Sequence, residues 1–261
     1  MENEISFFKK NGYLILESFL DKVQIEKIKE SLIFMINEQL KKNGIQENKT
    51  LDEGLLALRK IDKKAAIKIY QASHRLFHLK KISSDPSIEK IGKKLLGSNN
   101  YLITGESLRY DPPFEDKLLI DWHQDYPFIQ DSENSLVFWF PLRDMSPQGG
   151  GVKLIPGSHL QGIRKVKTQK DTNWIELCHP PKNKNTITPL LKKGDVLIMH
   201  TMLLHKSESN QSNQVRWTGQ FRLGDLTHKK AIERHWTGGM LENIHFGEYH
   251  PEYLEEENES V

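Results

Sequence analysis

The stretch Trp122-His123-Gln124-Asp125-Tyr126 holds the residue types best suited to chemistry. Side chains of an extended chain alternate between faces, so His123 and Asp125 point the same way and can share one metal ion. An imidazole and a carboxylate, completed by a second imidazole, form a facial set that suits Fe(II) and leaves coordination positions open. Alone, the triplet is also what a surface strand with a salt-bridged histidine looks like, so a third ligand is needed. His205 is the candidate, at the end of a strand in Met202-Leu203-Leu204-His205-Lys206-Ser207. A polar turn follows, and then a clean alternation. Val215, Trp217, Gly219, Phe221 and Leu223 form one face, and Gln214, Arg216, Thr218, Gln220 and Arg222 the other. One apolar and one polar, cationic face fits a barrel wall with a ligand-holding interior. A hairpin near Asn210-Gln211 would set Arg216 opposite His205. The arginine would then offer a planar fork to a carboxylate in the same cavity, with Ser207 adding a hydroxyl.

The elements that must position these residues change character along the chain. Residues 4 to 16 hold a short helix, then Asn11-Gly12 as a stop, then the strand-like Tyr13-Leu14-Ile15-Leu16. Asp21 reads as the N-cap of a helix reaching about Leu40 and ended by Asn43-Gly44. Residues 59 to 80 and 86 to 96 carry the same helical pattern, the last closed by Gly97. From Tyr101 to Gly224 the text is strand-like, with Ser135 to Phe140, Val152 to Ile155 and Val196 to Met199 as the clearest runs. Helices first and many short strands after imply a β-sandwich or barrel with helices packed on one face. The polar connector from Lys165 to Thr186 reads as a lid over a site.

The bulk numbers narrow the class. The chain has 261 residues, enough for one large domain, with 37% hydrophobic and 28% charged residues. The formal net charge of +2, without a basic stripe interleaved with aromatics, argues against nucleic acid. Cys178 is the single cysteine, so a disulfide within the chain is impossible and a cytoplasmic setting is expected. The start lacks the pattern of a signal peptide, and no apolar run approaches the roughly 20 residues that span a bilayer.

Together these pieces resemble the phytanoyl-CoA dioxygenase family of Fe(II)- and 2-oxoglutarate-dependent oxygenases. The resemblance runs over about residues 5 to 225. It rests on Phe8-Lys9-Lys10-Asn11-Gly12-Tyr13, His123-Gln124-Asp125, Trp139 followed by Gly149-Gly150-Gly151, Ile155-Pro156-Gly157-Ser158-His159, and His205-x-Ser207 with Arg216 beyond it. It implies a mainly β fold with flanking helices: a double-stranded β-helix, or jelly-roll, cupin-like barrel with N-terminal helices on one face. It also implies one domain over residues 1 to 254, with a helical part (1–100), a jelly-roll core (101–225) and a C-terminal extension (226–254). An acidic, disordered tail (255–261) follows. His123, Asp125 and His205 would ligate Fe(II). Arg216 would bind the distal carboxylate of 2-oxoglutarate, helped by Ser207, with Trp139 lining the pocket and Ser107 touching the co-substrate. O2 would be consumed, and a C–H bond of a small molecule hydroxylated, with succinate and CO2 as co-products.

The other candidates carry weaker arguments. Arg222 shares the polar face with Arg216 and is its rival for the carboxylate, or else a partner in a buried ion pair or a substrate contact. Arg109, Tyr126 and Phe128 flank the metal triplet and are candidate substrate contacts, with core packing the plain alternative for the aromatics. His200 and His159 read as packed or structural histidines. Gly149-Gly150-Gly151 lacks the ending of a phosphate loop and reads as a turn. Because Asp125 supplies a carboxylate, halogenation is disfavoured. Two other functions stay open: a jelly-roll metalloenzyme that needs no 2-oxoglutarate, and a binding or sensing protein that kept the fold without catalysis. The small-molecule substrate and the oligomeric state are not legible.

Overall fold

A computed structural model describes residues 2–117, 119–168, 176–182 and 185–255. The helical part comprises α1 (Glu2–Asn11), α2 (Lys22–Lys42), α3 (Leu51–Ile61), α4 (Lys63–Ser73), α5 (Phe77–Ser83) and α6 (Pro86–Leu96). The Asp21 side chain caps α2 by accepting from Val23 N, and Gly97 closes α6 in the left-handed conformation. The helical pattern over 59 to 80 is not one helix. Asp62 ends α3 and its side chain caps α4, and the chain breaks again before α5. The capping box of Thr50 and Glu53 starts α3 well before residue 59.

The strands are β1 (Tyr13–Leu16), β2 (Tyr101–Asp111), β3 (Ser135–Pro141), β4 (Val152–Leu154), β5 (Val166–Thr168), β6 (Glu176–Cys178), β7 (Val196–His200), β8 (His205–Ser207) and β9 (Arg216–Asp225). The large sheet has the order β1-β7-β3-β9-β2, and all its pairs are antiparallel. Opposite it, β4 pairs with β8 and β5 with β6. Isolated bridges from His123 to His205 and to Leu177 join these two pairs into a second layer. This is a jelly roll of two facing sheets.

The alternation in sequence sorts side chains to the two faces of the large sheet. Leu136, Phe138, Phe140, Val196, Ile198, Trp217, Phe221 and Leu223 share one core with α2 to α6. Val137, Trp139, Leu197 and Met199 point the other way and meet Val152, Leu154 and Leu203 between the sheets. Behind the second layer, Tyr126, Val166, Cys178, Leu204 and Phe246 form a third cluster. Phe246 belongs to the C-terminal extension, which holds α8 (Lys229–Glu233), α9 (Gly239–Glu242) and α10 (Phe246–Tyr249).

One sequence expectation about the turns needs correction. The turn after His205 does not make a hairpin, because β8 lies in the small layer while β9 pairs with β2 and β3 in the large sheet. The connector from Lys165 to Thr186 carries strand structure in its described part. It supplies β5 and β6, and Val166 also bridges Leu254. Residues 169–175 and 183–184 of that connector lie outside the described residues, as do 256–261 of the acidic tail. Glu255 is tied down, its N–H donating to Val166 O. Among the described residues no helix is long and apolar enough to cross a membrane.

Candidate metal centre

His123 and His205 face each other across the small layer. His123 N donates to His205 O at 2.9 Å and His205 N to His123 O at 3.0 Å, so the backbones form a closed antiparallel pair. Their rings tilt together, with centroids 4.2 Å apart. The triplet is not a regular strand, as alternation alone suggests. The chain is extended at His123, and at Asp125 it turns into α7 (Tyr126–Ile129), with φ −75° and ψ −28°. The Asp125 carboxylate makes no capping bond to that helix. It turns inward instead, with Oδ1 3.6 Å from Nε2 of both His123 and His205. One ligand atom from each residue lies within 4.8 Å of the others, and all three residues are buried.

The surroundings set the chemical state of each group. His123 Nδ1 contacts Asp121 O at 2.7 Å, and His205 Nδ1 contacts Leu203 O at 2.9 Å. A carbonyl only accepts, so both rings carry their proton on Nδ1 and present a bare Nε2 to the centre. Burial, reinforced by the neighbouring His123 ring, pushes His205 down to about 4 and keeps it neutral, as a ligand must be. Burial alone would raise the Asp125 carboxyl. Against it, the Arg222 guanidinium beside the carboxylate holds the group well below the ordinary carboxylate range. Two neutral imidazoles and one ionised carboxylate on one side of a pocket are a donor set that fits Fe(II).

The inner face of β9 carries the remaining candidates. Arg216 is buried, with Nε donating to Asp111 Oδ2 at 3.0 Å and Nη1 to Gly149 O and Glu208 O. Asp111 Oδ1 accepts from Arg109 Nε at 2.9 Å, so one carboxylate serves two guanidiniums. Gln220 stands between Ser107 and Trp139 across three strands, and its Nε2 donates to Ser107 Oγ at 3.0 Å. Ser207 lies two residues beyond His205, level with Val152. Phe128 sets its edge against the His123 ring, centroids 5.8 Å apart. Trp139, Ser107, Ser207, Arg109 and Arg216 therefore all belong to the space between the sheets or its rim.

Two candidates do not fit the role of substrate contact. Tyr126 has no exposed surface. Its ring packs on Phe246, its hydroxyl meets His250 Nε2 at 3.1 Å, and Arg234 lies over its face. Arg222 is engaged by Asp125, with Nε and Nη2 both donating to Asp125 Oδ2 at 2.9 and 2.6 Å. Sequence reading offers a buried ion pair for Arg222 but names neither Asp125 as its partner nor Asp111 as the anchor of Arg216. Alternation places each arginine on the inner face, yet each partner comes from a distant strand or turn. The outlying histidines are structural. His159 Nε2 contacts Lys9 O, and His200 Nδ1 accepts from Met202 N.

The family model for phytanoyl-CoA dioxygenase matches residues 8–218. The 1-deoxypentalenic acid 11-beta-hydroxylase of Streptomyces exfoliatus is 26% identical, over 79% of this chain and 74% of that protein. The phytanoyl-CoA dioxygenase domain-containing protein 1 of Danio rerio is 24% identical, over 90% of this chain and 94% of that one. Among solved structures, EctD from S. alaskensis, crystallised with 2-oxoglutarate and 5-hydroxyectoine, superposes with a TM-score of 0.60. It is 16% identical, covering 87% of this chain and 77% of that one, and so speaks for the fold. The match over most of the chain, on a jelly roll that gathers two histidines and an aspartate, has one consequence: the chain belongs to the phytanoyl-CoA dioxygenase family of non-haem iron, 2-oxoglutarate-dependent oxygenases.

Proposed function

We propose that His123, Asp125 and His205 hold Fe(II), that Arg216 holds the distal carboxylate of 2-oxoglutarate, and that the enzyme hydroxylates an unactivated C–H of a small molecule. The observation that carries this reading is the convergence of three ligand atoms, from two remote stretches of chain, within 4.8 Å inside the fold. With O2, bound iron and 2-oxoglutarate supply an oxidant for C–H hydroxylation, and the co-substrate becomes succinate and CO2.

The chain's own residues do the rest. Asp121 O and Leu203 O fix the ring orientations of the two histidines, so both Nε2 atoms are ready before metal arrives. Arg109 and Arg216 both donate to Asp111, which gathers two guanidiniums at the end of the pocket where a carboxylate would lie. Ser207 adds a hydroxyl from the facing layer, and Ser107 adds one farther along β2, level with Gln220. Trp139, Val137, Met199 and Leu203 pack between the sheets and keep water from the reacting groups. Phe128 offers an apolar wall beside His123, where a substrate carbon can lie.

The test is an anaerobic titration with Fe(II) and then 2-oxoglutarate, read by the visible charge-transfer band of the chelated co-substrate and by succinate release across a substrate panel. Arg216→Ala is expected to raise the KM for 2-oxoglutarate roughly 10- to 100-fold, as loss of a charged hydrogen-bond pair implies, with Fe(II) affinity kept. Unchanged 2-oxoglutarate dependence in that variant rules out the clamp. No succinate from the iron-loaded wild type would favour a binding protein instead.

A further inference from the structure

Asp125 offers two oxygens, and the structure treats them differently. Oδ1 looks toward both imidazoles at 3.6 Å, while Oδ2 takes two N–H groups from Arg222. Building on the metal reading above, we propose that Arg222 is a positioning residue for the centre: its two-pronged grip on Oδ2 makes Asp125 a one-oxygen ligand through Oδ1.

The consequence is a matter of coordination number. A carboxylate that chelates through both oxygens takes two positions. A facial triad leaves three open only if its carboxylate takes one. An oxygen already accepting two N–H bonds from a guanidinium is a poor second ligand, because its lone pairs are engaged and its charge is balanced. A lysine cannot do the same, since the ammonium is a point charge without the planar fork.

The surrounding backbone is shaped around this arginine. The register of β2 against β9 shifts between Thr104 and Ser107. Within that bulge Gly105 has φ +63°, and its carbonyl accepts from Arg222 Nη1 at 3.1 Å. A Cβ at Gly105 would lie 3.1 Å from Arg222 Nη1 and 3.3 Å from its Cδ. The bulge thus opens a slot that admits the guanidinium and satisfies its third nitrogen. The slot, the fork and the bare Oδ1 form one device assembled from β2, β9 and the turn into α7.

Co(II) is the probe, because its visible d–d spectrum reports coordination number and is independent of turnover. Wild-type chain, Arg222→Lys and Arg222→Met are titrated, with circular dichroism of the metal-free proteins as the folding control. Arg222→Met is expected to bind Co(II) roughly 10- to 100-fold more weakly, the usual cost of losing a partner behind a ligand. Arg222→Lys keeps the charge and is expected to lose less affinity, yet to shift the d–d bands as the carboxylate turns. If Arg222→Met does not fold, Arg222→Lys decides alone. Wild-type affinity and an unaltered spectrum in a folded Arg222 variant overturn the inference, provided His123→Ala abolishes uptake. Uptake that survives His123→Ala, or no uptake by the wild type, overturns the metal assignment and the inference with it.

Discussion

Gln124 sits between His123 and Asp125, two of the candidate metal ligands, and faces away from both. It is fully buried, with Nε2 donating to Met202 O at 2.7 Å and Gly162 O at 2.9 Å, and Oε1 accepting from Arg164 N at 2.9 Å. A single amide thereby ties the triplet to the turn that presents His205. Leucine of similar size would leave two carbonyls and one N–H unpaired in the interior. Gln124→Leu is expected to cost about 3 kcal/mol, read as a lower urea midpoint, with weaker metal retention alongside. A midpoint within error of wild type would show that these bonds are replaced by water. At this scale the candidate ligands are legible in sequence, because residue chemistry and spacing are local. Their partners are not, since Arg222 on Asp125 and Asp111 on Arg216 join positions about a hundred residues apart in sequence.

At the scale of elements, the helical layer must be fixed to the sheet that carries Arg216. Asp52, in the first turn of α3, is the tie. Its carboxylate accepts from both Nη atoms of Arg143 at 2.8 and 2.7 Å, from Trp217 Nε1 at 2.9 Å and from Val215 N at 3.2 Å. The pair is about a quarter exposed, so solvent screens part of its strength. Asp52→Ala is expected to cost roughly 1–3 kcal/mol and to lower Tm by about 2–10 °C in a chain of this size. A scanning-calorimetry trace that does not move would show the helices docked by apolar contacts alone. The start of α3 is written in sequence as Thr50-x-x-Glu53, and the break in the 59 to 80 pattern as Asp62. Helical spacing runs through that break, because buried positions on successive helices keep the same period across a single capping residue.

For the whole molecule, burial of neutral histidines sets the acid limit. His200 is pushed down to about 4, by burial first and then by His159 and His228. His159 and His250 are lowered by burial as well. Below the ordinary histidine value of about 6.5 the unfolded chain takes up protons that the folded chain refuses. This stability is therefore complete above about pH 6.5, falls as pH drops toward 4, and stops changing on account of His200 below that. The share of His200 is on the order of 3 kcal/mol. Urea midpoints of the metal-free protein between pH 7 and pH 4 are expected to fall, and His200→Gln to flatten the slope. An equally steep slope in His200→Gln would place the acid sensitivity elsewhere.

Sequence by itself determined the layers and the family, and it named the candidate ligand set. The period of the apolar residues reports which side of a helix or strand is buried, and the imidazole-carboxylate set reports a metal. Two conclusions needed the tertiary structure. The first is that β8 and β9, adjacent in sequence, part into facing sheets, so Arg216 meets the pocket from the opposite wall rather than along a hairpin. The length and composition of a turn do not say which sheet the next strand joins. The second is the division of labour between two arginines that alternation makes equivalent. Arg222 reaches Asp125 through the slot at Gly105, and Arg216 is anchored by Asp111 and two carbonyls. Hydrogen bonds act over a few ångströms, and only the folded chain brings those partners within that distance.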